Sequence, residues 1–326
     1  MSSTVSGPLA SLGVVDLSTT LTGAQFSQLF ADFGAEVIQV EPPGGSPLRS
    51  QPAFPLWGRG KKSVELDLRN ADHVEVARNL AAGADVVVET WRPGVAERLG
   101  LGYEVLAADN PRLVYASVTG FGRTGPYANL KAYEAVVLAK LGALDTLSSL
   151  TTRPGPSFAS TPYCSFSASL TALCGTLAAL YERAQSGVGQ RVDATLVQGL
   201  GAHDTWNWMV RLVAARYPDA FTAVPRIDNR RQVPNGPLSY RLLVALTKDG
   251  RWLQFSQTSE RLWVAFMRAL GLEWMLCDPE WKDAASSEDV DKREALWDRM
   301  LAAALPRASP QWLDEALNSG DGSYRP

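Results

Sequence analysis

Six consecutive residues, Asn129-Leu130-Lys131-Ala132-Tyr133-Glu134, place an ammonium, a phenol and a carboxylate within four positions. They follow a glycine-rich turn, Gly120-Phe121-Gly122-Arg123-Thr124-Gly125-Pro126-Tyr127, that closes a strand pattern. A lysine holds an anion as a point charge, and a phenol or carboxylate can move a proton or act as a nucleophile. Beyond a strand end in an α/β pattern, this run is a candidate polar site. The glycines also match G-x-G-x-x-G, the spacing of a dinucleotide loop. In that loop the motif joins the first strand to a helix whose N-terminus holds a pyrophosphate. Here it follows a later strand and runs into Pro126-Tyr127, whereas the first strand leads into Thr20-Leu21-Thr22-Gly23. The spacing reads as a tight turn at a strand end, and a nicotinamide-dependent oxidoreductase is the outside alternative.

The elements that must position this site alternate through the N-terminal part of the chain. Val14-Val15-Asp16-Leu17 reads as a short buried strand, followed by a helix over Gly23 to Phe33. Phe26, Leu29, Phe30 and Phe33 recur there at the spacing of one apolar helix face. Val37-Ile38-Gln39-Val40, Val86-Val87-Val88, Leu113 to Val118 and Arg191-Val192-Asp193 are further strands. Asn70 is a helix N-cap, with Val74, Ala77 and Leu80 facing inward. Strands separated by helices in this way imply a parallel sheet with crossover helices.

Ser165 to Arg183 carries the strongest helical pattern, and Ser165 is placed to be its N-cap. Phe166, Leu170, Leu173, Leu177 and Leu180 form one stripe; Ala168, Ala172, Gly175 and Ala179 form a small-residue stripe that lets another backbone approach. The surrounding stretch Tyr163 to Tyr181 has the length of a membrane span, but its serines and threonines and its Glu182-Arg183 flank read as a buried helix. Residues 1–208 form the expected large α/β domain and 209–235 a polar linker. Residues 236–326 form a smaller α+β domain, with a hairpin turning at Lys248-Asp249-Gly250 and helices at Arg261 to Leu270, Lys292 to Leu305 and Pro310 to Leu317.

Composition narrows the classes. In 326 residues, 46% are hydrophobic and 20% charged, as in ordinary globular proteins. The net charge is -3, and no basic stretch is interleaved with aromatics, so nucleic acid is not an expected partner. Cys164, Cys174, Cys277, His73 and His203 show no metal-ligand spacing, and no metal is expected. The N-terminus lacks a secretory pattern; a cytoplasmic protein without membrane attachment is the expectation.

The chain resembles the class III CoA-transferase family, of the formyl-CoA transferase and carnitine CoA-transferase type. The resemblance is carried by Val15-Asp16-Leu17-Ser18, by Asp32 to Gly44 and by Lys61-Lys62-Ser63-Val64-Glu65-Leu66-Asp67-Leu68. It continues through Ala84 to Glu89, Arg92-Pro93-Gly94, Arg98-Leu99-Gly100 and Asn110 to Ser117. The Gly120-Phe121-Gly122 loop, Lys131-Ala132-Tyr133-Glu134 and Ser186 to Asp193 complete it.

That resemblance implies a Rossmann-like large domain, a small α+β domain and two subunits interlocked like links, as a homodimer or as a heterodimer with a homologue. No permanently bound cofactor is implied; a CoA thioester is a substrate, and the other is a carboxylic acid such as carnitine, oxalate or a bile-acid-like compound. Carried over residue by residue, CoA contacts fall on Leu21, Thr22, Leu66, Asp67, Arg69, Thr90, Trp91, Arg92, Arg98, Leu130 and Lys131, with Tyr133 beside them. Arg69, Arg92, Arg98 and Lys131 would meet phosphates, and Trp91 would cover the adenine.

The implied mechanism is covalent: a carboxylate attacks the thioester, passes through a mixed anhydride, and carries CoA as an enzyme thioester. In the family that carboxylate is an aspartate ten residues before the glycine corresponding to Gly175. Ser165 stands there, and no aspartate lies between Asp145 and Glu182. Glu134 matches a helper carboxylate, and Cys164 is an alternative acyl acceptor. The alternatives are a catalytically impaired CoA-binding subunit paired with an active homologue, and an α-methylacyl-CoA racemase-like enzyme, although no histidine occupies the racemase position. The family pattern continues past the small domain with a returning segment; this chain ends at Gly322-Ser323-Tyr324-Arg325-Pro326, as a fragment, a split gene product or half of a fusion would.

Overall fold

Apolar runs too short to be helices line up as six parallel strands. The structure, a computed structural model, describes residues 7–146, 158, 160–203, 212–220 and 237–318. In chain order the first part holds β1 (Gly13–Asp16), α1 (Leu21–Asp32), β2 (Glu36–Glu41), α2 (Phe54–Gly58), β3 (Lys61–Glu65), α3 (Ala71–Ala82) and β4 (Val86–Glu89). It continues with α4 (Val95–Arg98), α5 (Tyr103–Asp109), β5 (Val114–Thr119), α6 (Glu134–Lys140), α7 (Ala143–Thr146), α8 (Tyr163–Ser186), β6 (Arg191–Thr195) and α9 (Leu196–His203). The strand order is β3-β2-β1-β4-β5-β6, all parallel. This is the Rossmann order, and the strand order reverses between β1 and β4.

Both faces of the sheet are covered, which explains why the central strands are apolar throughout rather than alternating. On one face Val14, Val37, Val86, Val88, Val114 and Ala116 pack with Phe26 and Phe30 of α1 and with Ala168, Ala172 and Ala179 of α8. On the other, Val15, Leu17, Val87 and Tyr115 pack with Ala77 and Ala81 of α3 and with Leu101 and Leu106. Asn70 caps α3 as expected, accepting a hydrogen bond from Asp72 N at 2.9 Å. β3 is the strand that periodicity misses: Lys-Lys-Ser-Val-Glu is an exposed sheet edge, where polar residues guard against further pairing.

The small-residue stripe of α8 faces the fold. A Cβ on Gly175 would lie 2.8 Å from Val192 Cγ1, and one on Gly199 of α9 would lie 2.4 Å from the Cys164 carbonyl oxygen. The large-residue stripe does not act as a single face: Leu173 is buried, whereas Leu170 and Leu177 are exposed. α8 is long and apolar enough to cross a membrane by length and composition, yet its buried side chains pack within this fold.

The chain divides into two compact units, Met1–Leu147 with Pro156–Val224, and Ser148–Gly155 with Pro225–Pro326. Within the expected linker, 212–216 is helical, and 209–211 and 221–235 lie outside the described residues. The second unit has the expected hairpin, β7 (Val244–Leu246) against β8 (Trp252–Gln254), and helices over Glu260–Ala269, Val290–Ala304 and Ser309–Asn318. Its core is built on Tyr240, Phe255, Phe266, Met267 and Met300.

At the N-terminal edge of the sheet, Arg183 ties α8 to two strands. Its Nη2 pairs with Asp85 Oδ1 at 2.9 Å, and its Nη1 donates to the Arg112 carbonyl at 2.9 Å. Asp85 Oδ2 in turn accepts from Gly13 N at 2.9 Å. Removing the cation leaves a partly buried carboxylate and a carbonyl without their donor. Arg183→Leu should lower unfolding free energy by about 3 kcal/mol in urea titrations, whereas Arg183→Lys should retain part of it.

Candidate functional site

The polar run is held against the end of β5 by a glycine. A Cβ on Gly120 would lie 1.7 Å from Ala132 Cβ, so only glycine lets the Lys131–Glu134 segment fold back there. Gly122 and Gly125 take left-handed φ values of 91° and 94°, and Gly122 N donates to Thr119 Oγ1 at 3.1 Å. The G-x-G-x-x-G spacing thus serves turn geometry after β5, away from the β1–α1 junction where a dinucleotide loop belongs.

Glu134 opens α6, and its carboxylate reaches the N-terminus of α8. Oε1 accepts from Cys164 N at 2.8 Å; Oε2 accepts from Ser165 N at 2.9 Å and from Ser165 Oγ at 2.7 Å. A helix start leaves amide hydrogens without intrahelical partners and carries the positive end of the helix dipole. α8 has Pro162 at its N-cap, no side-chain cap bond and no acidic residue in its first turn. Glu134 supplies the missing acceptor from thirty residues away. The expectation that Ser165 is the N-cap is therefore corrected. The helix starts two residues earlier, at Tyr163, and the Ser165 hydroxyl donates to Glu134 instead of accepting an amide.

Cys164 is fully buried beside this carboxylate. Burial, then the Glu134 charge, push its thiol well above the usual range, so the thiolate that would accept an acyl group is disfavoured. Tyr133 and Leu130 are exposed, and Lys131 is exposed with no ion pair among the described residues. His203 sets its ring edge-on to Tyr163 at 5.7 Å, and His73 Nδ1 accepts from Asp67 N at 2.9 Å; both fit structural roles.

The second group of expected residues gathers where the sheet order reverses. Thr20 Oγ1 donates to Thr90 Oγ1 at 2.9 Å, bridging the loops that leave β1 and β4. Thr22 is buried in the first turn of α1, and Leu21 is half-buried. Nearby, a cavity of about 300 Å³ is lined by Leu66, Asp67, Arg69 and Trp91, together with Leu17, Val40, Pro42 and Leu99. The last four were not anticipated; the rule that ligands bind at the carboxyl ends of such strands is the signal that points to them. Arg69 is engaged by Asp67 through a fork of 2.8 and 3.0 Å, so it is not a free cation. Arg92 and Arg98 are exposed and, among the described residues, carry no ion pair.

At the inner end of β4 lies a carboxyl that no sequence argument singled out. Glu89 is buried; its Oε1 accepts from Ser117 Oγ at 2.5 Å and its Oε2 from Trp91 N at 2.6 Å. Burial pushes its pKa up to about 7, against the lowering effect of those two donors.

Known proteins resemble this chain over most of its length. The model of CoA-transferase family III matches residues 9–321. An acetyl-CoA:oxalate CoA-transferase of Acetobacter aceti is 35% identical, over 96% of this chain and 79% of that protein. A succinyl-CoA–D-citramalate CoA-transferase of Chloroflexus aurantiacus is 32% identical, over 91% and 72%. The crystal structure of a CAIB/BAIF family protein from Brucella suis superposes with a TM-score of 0.76 at 27% identity, covering 97% of this chain and 82% of that one.

The capping role of Glu134 is testable without any ligand. Glu134→Leu should speed hydrogen exchange at the Cys164 and Ser165 amides by about ten-fold or more, the loss of a bond to a charged acceptor. Ser165→Ala should leave those amides protected.

Proposed function

The chain belongs to CoA-transferase family III, and from that membership we propose that it moves coenzyme A from an acyl-CoA thioester to a small carboxylic acid. One observation in the chain itself carries the reading: Glu134 and Ser165 meet at the α8 N-terminus, beyond the end of β5. The cations Arg92, Arg98 and Lys131, which carry no ion pair among the described residues, follow the ends of β4 and β5. A thioester ligand needs both features, cations for its phosphates and a polar centre for its carbonyl.

The reaction balances without any other reagent. A carboxylate oxygen attacks the thioester carbon, the C–S bond breaks, and CoA leaves as thiolate from a mixed anhydride. The thiolate then attacks the enzyme's acyl carbon, expelling the donor acid and leaving CoA on the enzyme as a thioester. The acceptor acid repeats both steps in reverse order and leaves as its CoA thioester, freeing the enzyme carboxylate. Glu134 is the carboxylate that the described residues place at this helix end, and its three donors hold it in one orientation. Trp91, on the cavity wall, would cover the adenine, and Lys131, Arg92 and Arg98 would meet the phosphates. Two relatives are named for oxalate and D-citramalate, which supports small polar acids as the acceptor class.

A second reading has its own support. Both Glu134 oxygens already accept hydrogen bonds, and Ser165 stands where the family pattern has an aspartate. On that reading the chain binds CoA and pairs with a homologue that supplies the nucleophile.

Incubation with acyl-CoA, followed by borohydride or hydroxylamine and peptide mass spectrometry, separates the two. The transferase reading expects an adduct on Glu134 that Glu134→Gln abolishes. CoA binding with no adduct selects the subunit reading, and neither binding nor adduct overturns both. Ser165→Asp should raise turnover at least ten-fold if the rest of the site is intact.

A further inference from the structure

Glu89 stands out among the buried carboxyls of the large unit because it carries no ion pair among the described residues. Glu41 is held by Arg49 in a fork of 2.7 and 2.8 Å, and Asp16 has Lys61 Nζ at 3.6 Å. Among the described residues Glu89 has only the Ser117 hydroxyl and the Trp91 amide. The cation that acts on it, Arg123, is already committed: its Nη2 bonds Glu97 Oε1 at 2.7 Å.

The placement gives this carboxyl leverage. Glu89 is the last residue of β4, directly opposite Ser117 of β5 in the sheet register. The chain leaves it as Thr90-Trp91-Arg92, and Trp91 lines the cavity at the reversal point. One turn on, α4 carries Glu97 and Arg98 side by side. The bond from Trp91 N to Glu89 therefore sets where the cavity wall and the cation Arg92 stand.

We propose that Glu89 is a positioning residue of the CoA site that takes up a proton when the anionic ligand docks. The inference rests on the proposed CoA-binding reading and deepens it. The groups facing Glu89 are Glu97 of α4, Arg123 of the glycine turn and Tyr115 of β5, with Asp193 of β6 beyond Arg123. Phosphates arriving at Arg92 and Arg98 add negative charge to this surface, and a like charge nearby favours the neutral acid. The neutral acid still accepts from Trp91 N through one oxygen and can donate to Ser117 Oγ through the other, so the wall stays in place. Burial, acting against its two hydrogen-bond donors, already brings the group to about 7, where half of it is ionised at neutral pH and available to take up a proton. The sign follows. A folded-state pKa raised above its unfolded value favours folding while the group is protonated, and that contribution is lost as pH rises through about 7. Ligand binding that raises the pKa further must absorb protons near pH 7 and must weaken as pH rises.

The test is titration calorimetry of the full chain with CoA at pH 7, in two buffers of different ionisation enthalpy. Glu89→Gln keeps an acceptor for Trp91 N and a donor for Ser117 while removing the titration, so it imitates the neutral acid. Wild type should absorb up to about half a proton more than Glu89→Gln, and the difference should fade by pH 5.5. The subtraction cancels protons taken up by the phosphates of CoA itself. Thermal melting supplies an arm independent of ligand: the melting temperature of wild type should fall more between pH 5 and 8 than that of the variant. Equal proton uptake in wild type and variant, with CoA bound to both, overturns this inference alone. No CoA binding to wild type overturns the site assignment as well. A variant that loses CoA binding while remaining folded contradicts the claim that the neutral form supports the wall.

Discussion

The N-terminus of α8 needs an acceptor, and the site is organised around the residue that supplies it. A long helix that begins at Pro162 with no capping side chain exposes amides whose desolvation is costly unless they are paired. Glu134 answers that need only because α6 begins where it does. That position depends in turn on Gly120, which lets Ala132 pack against the end of β5. The other end of the constraint lies in the small residues of α8. Ala168, Ala172 and Gly175 let the helix settle on β6 and α9, bringing its first turn to the strand ends. One carboxylate thus joins sheet, turn and helix, and any chemistry at this corner starts from its geometry.

Much of the large unit was legible in advance because its signals are local. Val86-Val87-Val88 and Leu113 to Val118 are apolar at every position, as strands buried on both faces must be, and they form β4 and β5. Phe26 and Phe30 point inward from α1, but Phe33, in the same sequence stripe, is the C-cap and is exposed, because the helix ends before it. β3 escaped notice because an edge strand of Lys, Ser and Glu has no apolar period to read.

The site was legible in its members more than in their connections. Leu66, Asp67 and Trp91 do line one cavity, yet nothing in the order of residues indicates that Arg69 is already occupied by Asp67 while Arg92 and Arg98 carry no ion pair among the described residues. Ser165 was assigned to the helix boundary on residue type. Its hydroxyl instead faces a carboxylate thirty-one residues distant, a pairing set by tertiary structure. In the sequence Glu89 is one residue of a family-like run. Its significance comes from burial and from having no ion pair among the described residues, neither of which is visible in sequence.

Ser165 in the aspartate position sharpens what the corner can do. A hydroxyl there cannot form the mixed anhydride, so on the proposed transferase reading Glu134 is the carboxylate left to form it. The helix amides that orient this carboxylate also share its electrons, which sets orientation against reactivity. The most direct measurement of the account is a crystal structure of the full chain with CoA bound. The account predicts the thiol end beside Glu134 and Ser165, the phosphates on Arg92, Arg98 and Lys131, and the adenine against Trp91. A ligand seated elsewhere on the chain, or a thiol end remote from Glu134, would contradict it.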